Sequence, residues 1–204
     1  MKIYDFPYAP NPRKVRIYLS EKGIDMDFVM VDIRQNEQRK DTFLAINPKG
    51  VLPVLELDDG RHITESLVIM EYLEELFPQP MMIGESPLER AQTRELERFI
   101  DTSIANPINS IFFNTSEVFR HRLQVPELVE PAILSIERAF SLLDAMMGEN
   151  LFVAGDFPSI ADCTLIAALE HGSSVGVHIS DKYKQLSLWY EFFRQRPSFK
   201  ANVG

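Results

Sequence analysis

Two short stretches of this chain hold residues whose types and order suit chemistry. Thr64-Glu65-Ser66 stands where a strand-like segment gives way to a helical one. Unbonded N–H groups at a helix start favour a carboxylate or phosphate, the Ser66 hydroxyl adds a donor, and Glu65 can accept from an ammonium beside it. An acid and a hydroxyl side by side there suit the head group of an α-amino acid. The same residues also fit a plain capping role, with Thr64 or Ser66 closing the helix start and Glu65 complementing its dipole. The second stretch is Leu52-Pro53-Val54. A cis peptide there would turn the Leu52 N–H and C=O outward, where an extended peptide can pair with them as an added strand. A trans peptide would make Pro53 an ordinary edge-strand proline.

Other reactive side chains are sparse. The one cysteine, Cys163, follows Asp162 inside a capped apolar stretch and reads as a small buried core residue. A single cysteine forms no intrachain disulfide and no Cys-x-x-Cys pair, so any other redox or nucleophilic sulfur must arrive with a ligand. His62, His121, His171 and His178 are scattered without metal-ligand spacing, and no metal is expected. With 21 Lys+Arg against 30 Asp+Glu the formal net charge is −9. Residues 1–80 carry 10 basic and 14 acidic residues and the rest 11 and 16, so no basic region is averaged away and nucleic acid is a poor partner. No stretch has signal-peptide character or approaches the roughly 18 apolar residues of a membrane span, which points to a cytoplasmic protein without a membrane partner. The 45% hydrophobic content over 204 residues is enough for a sizeable core.

The elements that must position these residues can be read in order. Residues 2–6 form a short strand, and 13–22 a helix with Val15, Tyr18 and Leu19 at helical spacing. Asn11 falls where a cap belongs, Pro12 at the first helical position and Gly23 just past the end. A second strand covers 28–31, and a weak helical segment contains Phe43 and Leu44. Strand 51–57 turns at Asp58-Asp59-Gly60 into a partner near His62-Ile63. Leu67, Ile69, Met70, Leu73, Leu76 and Phe77 then mark an amphipathic helix over 66–77, stopped by Pro78 and Pro80. The order is β-α-β-α-β-β-α. Beyond it strand signals vanish. One helix is predicted from Pro87 to about Phe113, bent at Pro107, and another over 126–147 with Ile133, Ile136, Phe140, Leu143 and Met147 on one stripe. Ser159 and Asp162 have capping-box spacing before a helix over 163–169, with Phe157 available to pack on its start. A last helix runs through Leu188, Trp189, Phe192 and Phe193 to Arg196.

In combination these motifs resemble a known family. Ile46-Asn47-Pro48-Lys49-Gly50-Val51-Leu52-Pro53-Val54-Leu55, then Ile63-Thr64-Glu65-Ser66-Leu67-Val68-Ile69-Met70-Glu71-Tyr72-Leu73, are similar to the core of the cytosolic glutathione transferase superfamily. Gly155-Asp156-Phe157-Pro158-Ser159-Ile160-Ala161-Asp162 is similar to its second-domain capping segment. The resemblance spans essentially the whole chain. It implies a thioredoxin-like α/β N-terminal domain over 1–80 that binds glutathione, a linker over 81–86, an all-helical C-terminal domain over 87–204, and a homodimer. Carried over by position, Pro53 is the cis-proline, Leu52 presents its backbone to the cysteinyl part of glutathione, and Glu65 and Ser66 hold the γ-glutamyl end. Gln38, with Lys40 beside it, is matched to the glycyl end. Tyr8, Phe112 and Phe113 are candidates to line the site of a hydrophobic co-substrate.

The family's chemistry depends on stabilising the glutathione thiolate. A free thiol titrates near 8.5, and lowering that by about 2 units takes roughly 2.7 kcal/mol. Bacterial relatives commonly carry Ser-Pro-Asn in the loop before the first helix, whereas here it is Ala9-Pro10-Asn11, so the serine hydroxyl is missing. The family's tyrosine position is Asp5. Asn11 resembles the Asn of nu-class relatives and becomes the candidate catalytic donor to sulfur, with Tyr4, Tyr8 and the backbone N–H after Pro10 as alternatives. The implied reaction is attack of the bound thiolate on an electrophile. Alternatives are reduction of disulfides or peroxides by glutathione, and a non-catalytic binding or scaffolding protein. The Ser-Ser-Cys loop of zeta-class isomerases is absent.

Overall fold

A computed structural model describes residues 1–200 as two units, one of Met1–Met82 together with the short helix Pro197–Lys200, the other of Ile83–Arg196. The first has the order β1 (Lys2–Asp5), α1 (Pro10–Lys22), β2 (Asp27–Met30), α2 (Asp41–Leu44), β3 (Val54–Glu56), β4 (His62–Thr64) and α3 (Ser66–Leu76). The sheet runs β2-β1-β3-β4, with β1 parallel to β2 and the other pairs antiparallel. Register puts Ile3 opposite Leu55 and Val54 opposite Thr64, which carries β4 directly into α3. Val31, Phe43 and Val54 form a buried cluster joined by Tyr4, Ile46 and Leu52. Helices α1 and α3 pack on each other, burying Val15, Tyr18, Ile69 and Leu73.

Three readings of this unit are corrected. Asn11 is not the cap of α1. The helix starts two residues earlier than the Pro12 signal suggested, with Ala9 extended at φ −89°, ψ 141° as the cap and Pro10 in the first turn. A residue before proline is pushed into extended backbone, and Ala9 precedes Pro10. Pro12 is tolerated because the first N–H groups of a helix have no intrahelical acceptor to lose. Strand β3 starts at Val54, not Val51, since Pro53 has no N–H for the ladder. The end of the chain also departs from the expected division: Pro197–Lys200 (α9, after the helices below) belongs with the first unit and packs on α1.

The segment after α3 is tied down by a buried network. The Glu74 carboxylate accepts from Lys22 Nζ at 2.9 Å, the Tyr18 hydroxyl at 2.8 Å and the Met82 N–H at 2.8 Å. Lys22 also donates to the Pro80 carbonyl at 2.6 Å. Each charged atom is paired, as burial requires.

The second unit is helical: α4 (Pro87–Ile100), α5 (Asn106–Thr115), α6 (Val129–Met147), α7 (Ile160–Ser173) and α8 (Lys184–Phe193). The stretch expected as one bent helix changes character before Pro107. Asp101–Ala105 is a π-helical turn in which the Asn106 N–H donates to the Asp101 carbonyl. On α6 the buried stripe is Ala132, Ile136, Phe140, Leu143 and Met147, while Ile133 is 44% exposed. A four-residue step back from Ile136 lands on Ala132 and leaves Ile133 to the side. Helix α6 itself begins at Val129, after a 3-10 turn over Pro126–Leu128. The capping box at Ser159 and Asp162 is formed. Phe157 is 75% exposed and does not staple the helix start, a position nothing in the structure explains. No described helix is long and apolar enough to cross a membrane.

Candidate functional site

The start of α3 lacks a side-chain cap. Glu65 occupies the cap position with φ 73° and ψ 117°, and no side chain caps the helix. A non-glycine residue at such a φ costs about 1–3 kcal/mol and persists only where its surroundings impose it. Its carbonyl accepts the Ile69 N–H at 2.9 Å, so the backbone begins the helix while the carboxylate stays outside it. Ser66 is the first helical residue and is buried. The side-chain hydrogen bond that a capping role for Thr64 or Ser66 calls for is therefore not formed at this helix start.

Two cations that sequence reasoning passed over meet this start. Lys49 Nζ lies 2.8 Å from Glu65 Oε1, and Arg39 Nη1 donates to the Lys49 carbonyl at 3.2 Å. The turn between them is set by Asn47, whose Oδ1 accepts the Lys49 N–H at 3.1 Å and whose Nδ2 donates to the Val51 carbonyl at 2.8 Å. Gly50, at φ 60°, lets the strands of this knot approach: a Cβ there would sit 2.8 Å from both the Gln38 carbonyl and Arg39 Nη1. The turn therefore draws Gln38 and Arg39 to the Lys49–Gly50 backbone. Gln38 is half-buried and its Oε1 is buried with no hydrogen-bond partner among the described residues. Lys40 is directed elsewhere, paired with Glu37 at 3.1 Å. Arg39 is the cation of this segment without a carboxylate partner among the described residues, since Arg34 is held by Asp32. The Arg34 guanidinium holds the Asp32 carboxyl at about 2. No spacing rule pointed to Lys49 or Arg39, whose roles arise from tertiary approach.

Leu52-Pro53 is cis, and Leu52 lies just outside β3 with neither its N–H nor its C=O bonded within the described residues. At the start of α1, the prolines at 10 and 12 remove two N–H donors. Asn11 supplies the backbone N–H of that turn, and its exposed side chain is not used as a cap. Tyr4 is removed as an alternative donor: its hydroxyl donates to Glu56 at 2.7 Å, and burial, then this contact, raises its pKa. Tyr8 is 55% exposed with its ring against Phe6 at 5.3 Å. Asp5, at the family's tyrosine position, is buried and receives Arg16 Nη2 at 3.1 Å.

In the second unit Phe112 and Phe113 belong to an aromatic group with Phe119 and His171, at centroid separations from 4.5 to 6.0 Å. Burial pushes the His171 pKa down. Cys163 is fully buried in α7. Among the described residues no three His, Cys, Asp or Glu side chains group as metal ligands.

Comparison with known proteins agrees with this geometry. The glutathione S-transferase N-terminal domain matches residues 3–81 and the C-terminal domain residues 112–197. The chain is 33% identical to glutathione S-transferase 2 of Saccharomyces cerevisiae over 98% of its length and 88% of the relative's. It is 28% identical to a maleylacetoacetate isomerase of Pseudomonas aeruginosa, over 98% of this chain and 94% of that one. The crystal structure of a glutathione S-transferase domain-containing protein of Marinobacter aquaeolei superposes with a TM-score of 0.90 at 34% identity, covering 97% of this chain and 99% of that one. The matches to both the N-terminal and the C-terminal domain, and to a glutathione S-transferase over nearly the whole length, show that the chain belongs to the cytosolic glutathione transferase superfamily.

Proposed function

We propose that this glutathione transferase binds glutathione on its first unit and activates the bound sulfur from the start of α1. The observation that carries this reading is Glu65 held at φ 73° with a carboxylate that serves no cap. In the proposal Glu65 accepts the α-ammonium of the γ-glutamyl end and Ser66 donates to its carboxylate. The Leu52 N–H and C=O pair with the cysteinyl backbone beside Pro53. Arg39, with Gln38, receives the glycyl carboxylate in place of Lys40, whose ammonium is taken by Glu37. The Asn11 amide and its backbone N–H point the partial positive end of α1 at sulfur and favour the thiolate.

The thiolate then attacks an electrophilic carbon. A C–S bond forms, the bond to the leaving group breaks, and the electron pair departs with that group. Phe112 and Phe113, with Phe119 beside them, give the second unit an aromatic group suited to an apolar molecule. The buried position of Cys163 supports a reaction in which glutathione supplies the sulfur. Family membership supports a homodimer, and Leu134, Leu142 and Met146 are exposed along α6 for such an association. Sedimentation of the purified chain reads its mass directly.

Titration calorimetry with reduced glutathione, followed by conjugation to chlorodinitrobenzene with loss of chloride, tests the reading. Binding at millimolar or tighter concentration with turnover is the expected result. Absence of binding overturns it, and faster reduction of a mixed disulfide than conjugation would move the chain to the reductase alternative.

A further inference from the structure

The Glu65 carboxylate already carries a primary ammonium. Lys49 Nζ sits 2.8 Å from Oε1, the contact expected of the α-ammonium of an amino acid. The two side chains are 63% and 60% exposed, so a solute can reach the pair. Their anchoring is unequal. Glu65 is fixed at the head of α3 by its own backbone, which starts the helix. The Lys49 main chain is held on both sides, its N–H by Asn47 Oδ1 and its carbonyl by Arg39 Nη1, which leaves the four-carbon stem as the part free to swing. No other cation is within ion-pair distance of Glu65 among the described residues.

We propose that Lys49 is an internal competitor for Glu65, holding the place that the α-ammonium of glutathione takes, so that binding exchanges one ammonium for another. The inference rests on the glutathione reading above. Exchange pairs the Glu65 carboxylate with an ammonium both before and after ligand arrives. It also sets a selectivity: a ligand without an α-ammonium has no means of releasing Lys49 and gains nothing when Lys49 is removed. Exposed ion pairs are weak, so the competition is worth a small factor in affinity, about 2- to 5-fold.

The test is a double-mutant cycle of Lys49→Met and Glu65→Gln, read as the dissociation constant of reduced glutathione by calorimetry. A second arm uses glutaryl-cysteinylglycine, which lacks the α-ammonium. Lys49→Met is expected to tighten glutathione about 2- to 5-fold in the wild-type background, to give no tightening in the Glu65→Gln background, and to give none for the deaminated ligand. Weaker glutathione binding by Lys49→Met in both backgrounds would overturn the proposal and make Lys49 an attractor of the anionic ligand. Equal binding by wild type and Lys49→Met would overturn it as well. Failure of the wild type to bind glutathione at all would remove the functional reading and this inference together, a result distinct from the other two.

Discussion

Helices α7 and α3 each begin with a serine and an acid, and they spend them in opposite ways. At α7 the Asp162 carboxylate accepts from the Val153 N–H at 3.0 Å, the Ser159 N–H at 2.9 Å, the Ser159 hydroxyl at 2.7 Å and Trp189 Nε1 at 2.8 Å. Burial pushes its carboxyl above the ordinary value, and those four donors oppose the shift. At α3 the acid lies in strained backbone, holds only an exposed lysine and caps nothing. A helix start whose polar groups are consumed internally is a structural joint. One that keeps them outside the cap, at a cost in backbone strain, is where the proposed ligand would find them.

The contrast can be broken most forcefully at α7. Asp162→Ala should cost about 3–5 kcal/mol of stability by orphaning four buried donors, measured by urea unfolding, with glutathione affinity per folded molecule unchanged. A loss below about 1 kcal/mol would show that the joint is not structural. At α3, Ser66→Ala should reverse the pattern, leaving stability within about 1 kcal/mol while weakening glutathione about 10-fold or more, the worth of a hydrogen bond to a charged group. Asn11→Ala should raise the pKa of the bound thiol by about one unit, read from thiolate absorbance against pH, at little cost in stability because no cap is removed. Glu65→Gly should raise stability by about 1 kcal/mol as glycine accepts a positive φ freely, and abolish most glutathione affinity in the same protein.

The smallest expected effect concerns a third acid at a helix start. Asp32 caps the 3-10 turn Ile33–Gln35, and the Arg34 guanidinium holds its carboxyl at about 2, below the ordinary 3.8. Its contribution to stability is complete above its unfolded value and is lost as pH falls through about 2. The stability difference between wild type and Asp32→Asn should therefore be constant near neutral pH and shrink toward zero in acid.

What the sequence made legible follows from range. The strand-helix order, the capping box and the Glu-Ser pair are local patterns, and each appears where periodicity and turn residues placed it. The cis state of Pro53 came from resemblance rather than from the residues, because both isomers suit an X-Pro bond at a strand end. The cap falls two residues before Asn11 since Pro10 and Pro12 both satisfy the rule for a helix start, and only the extended backbone at Ala9 decides between them. Lys49 and Arg39 were invisible for a different reason. Their partners lie 16 residues and 10 residues away in sequence and meet through a turn that depends on a glycine without a Cβ.

The paired prolines at the head of α1 have one more consequence. In most helices a polar cap residue closes the first turn with its own side chain, and chemistry at that residue would be constrained by folding. Here two pyrrolidine rings fix φ at positions 10 and 12 covalently, and Ala9 contributes only backbone. Position 11 is thus relieved of architectural duty. Substituting it through the polar residues would vary the electronic environment of the bound sulfur over an unchanged scaffold, which makes it the natural coordinate along which this protein could be diversified.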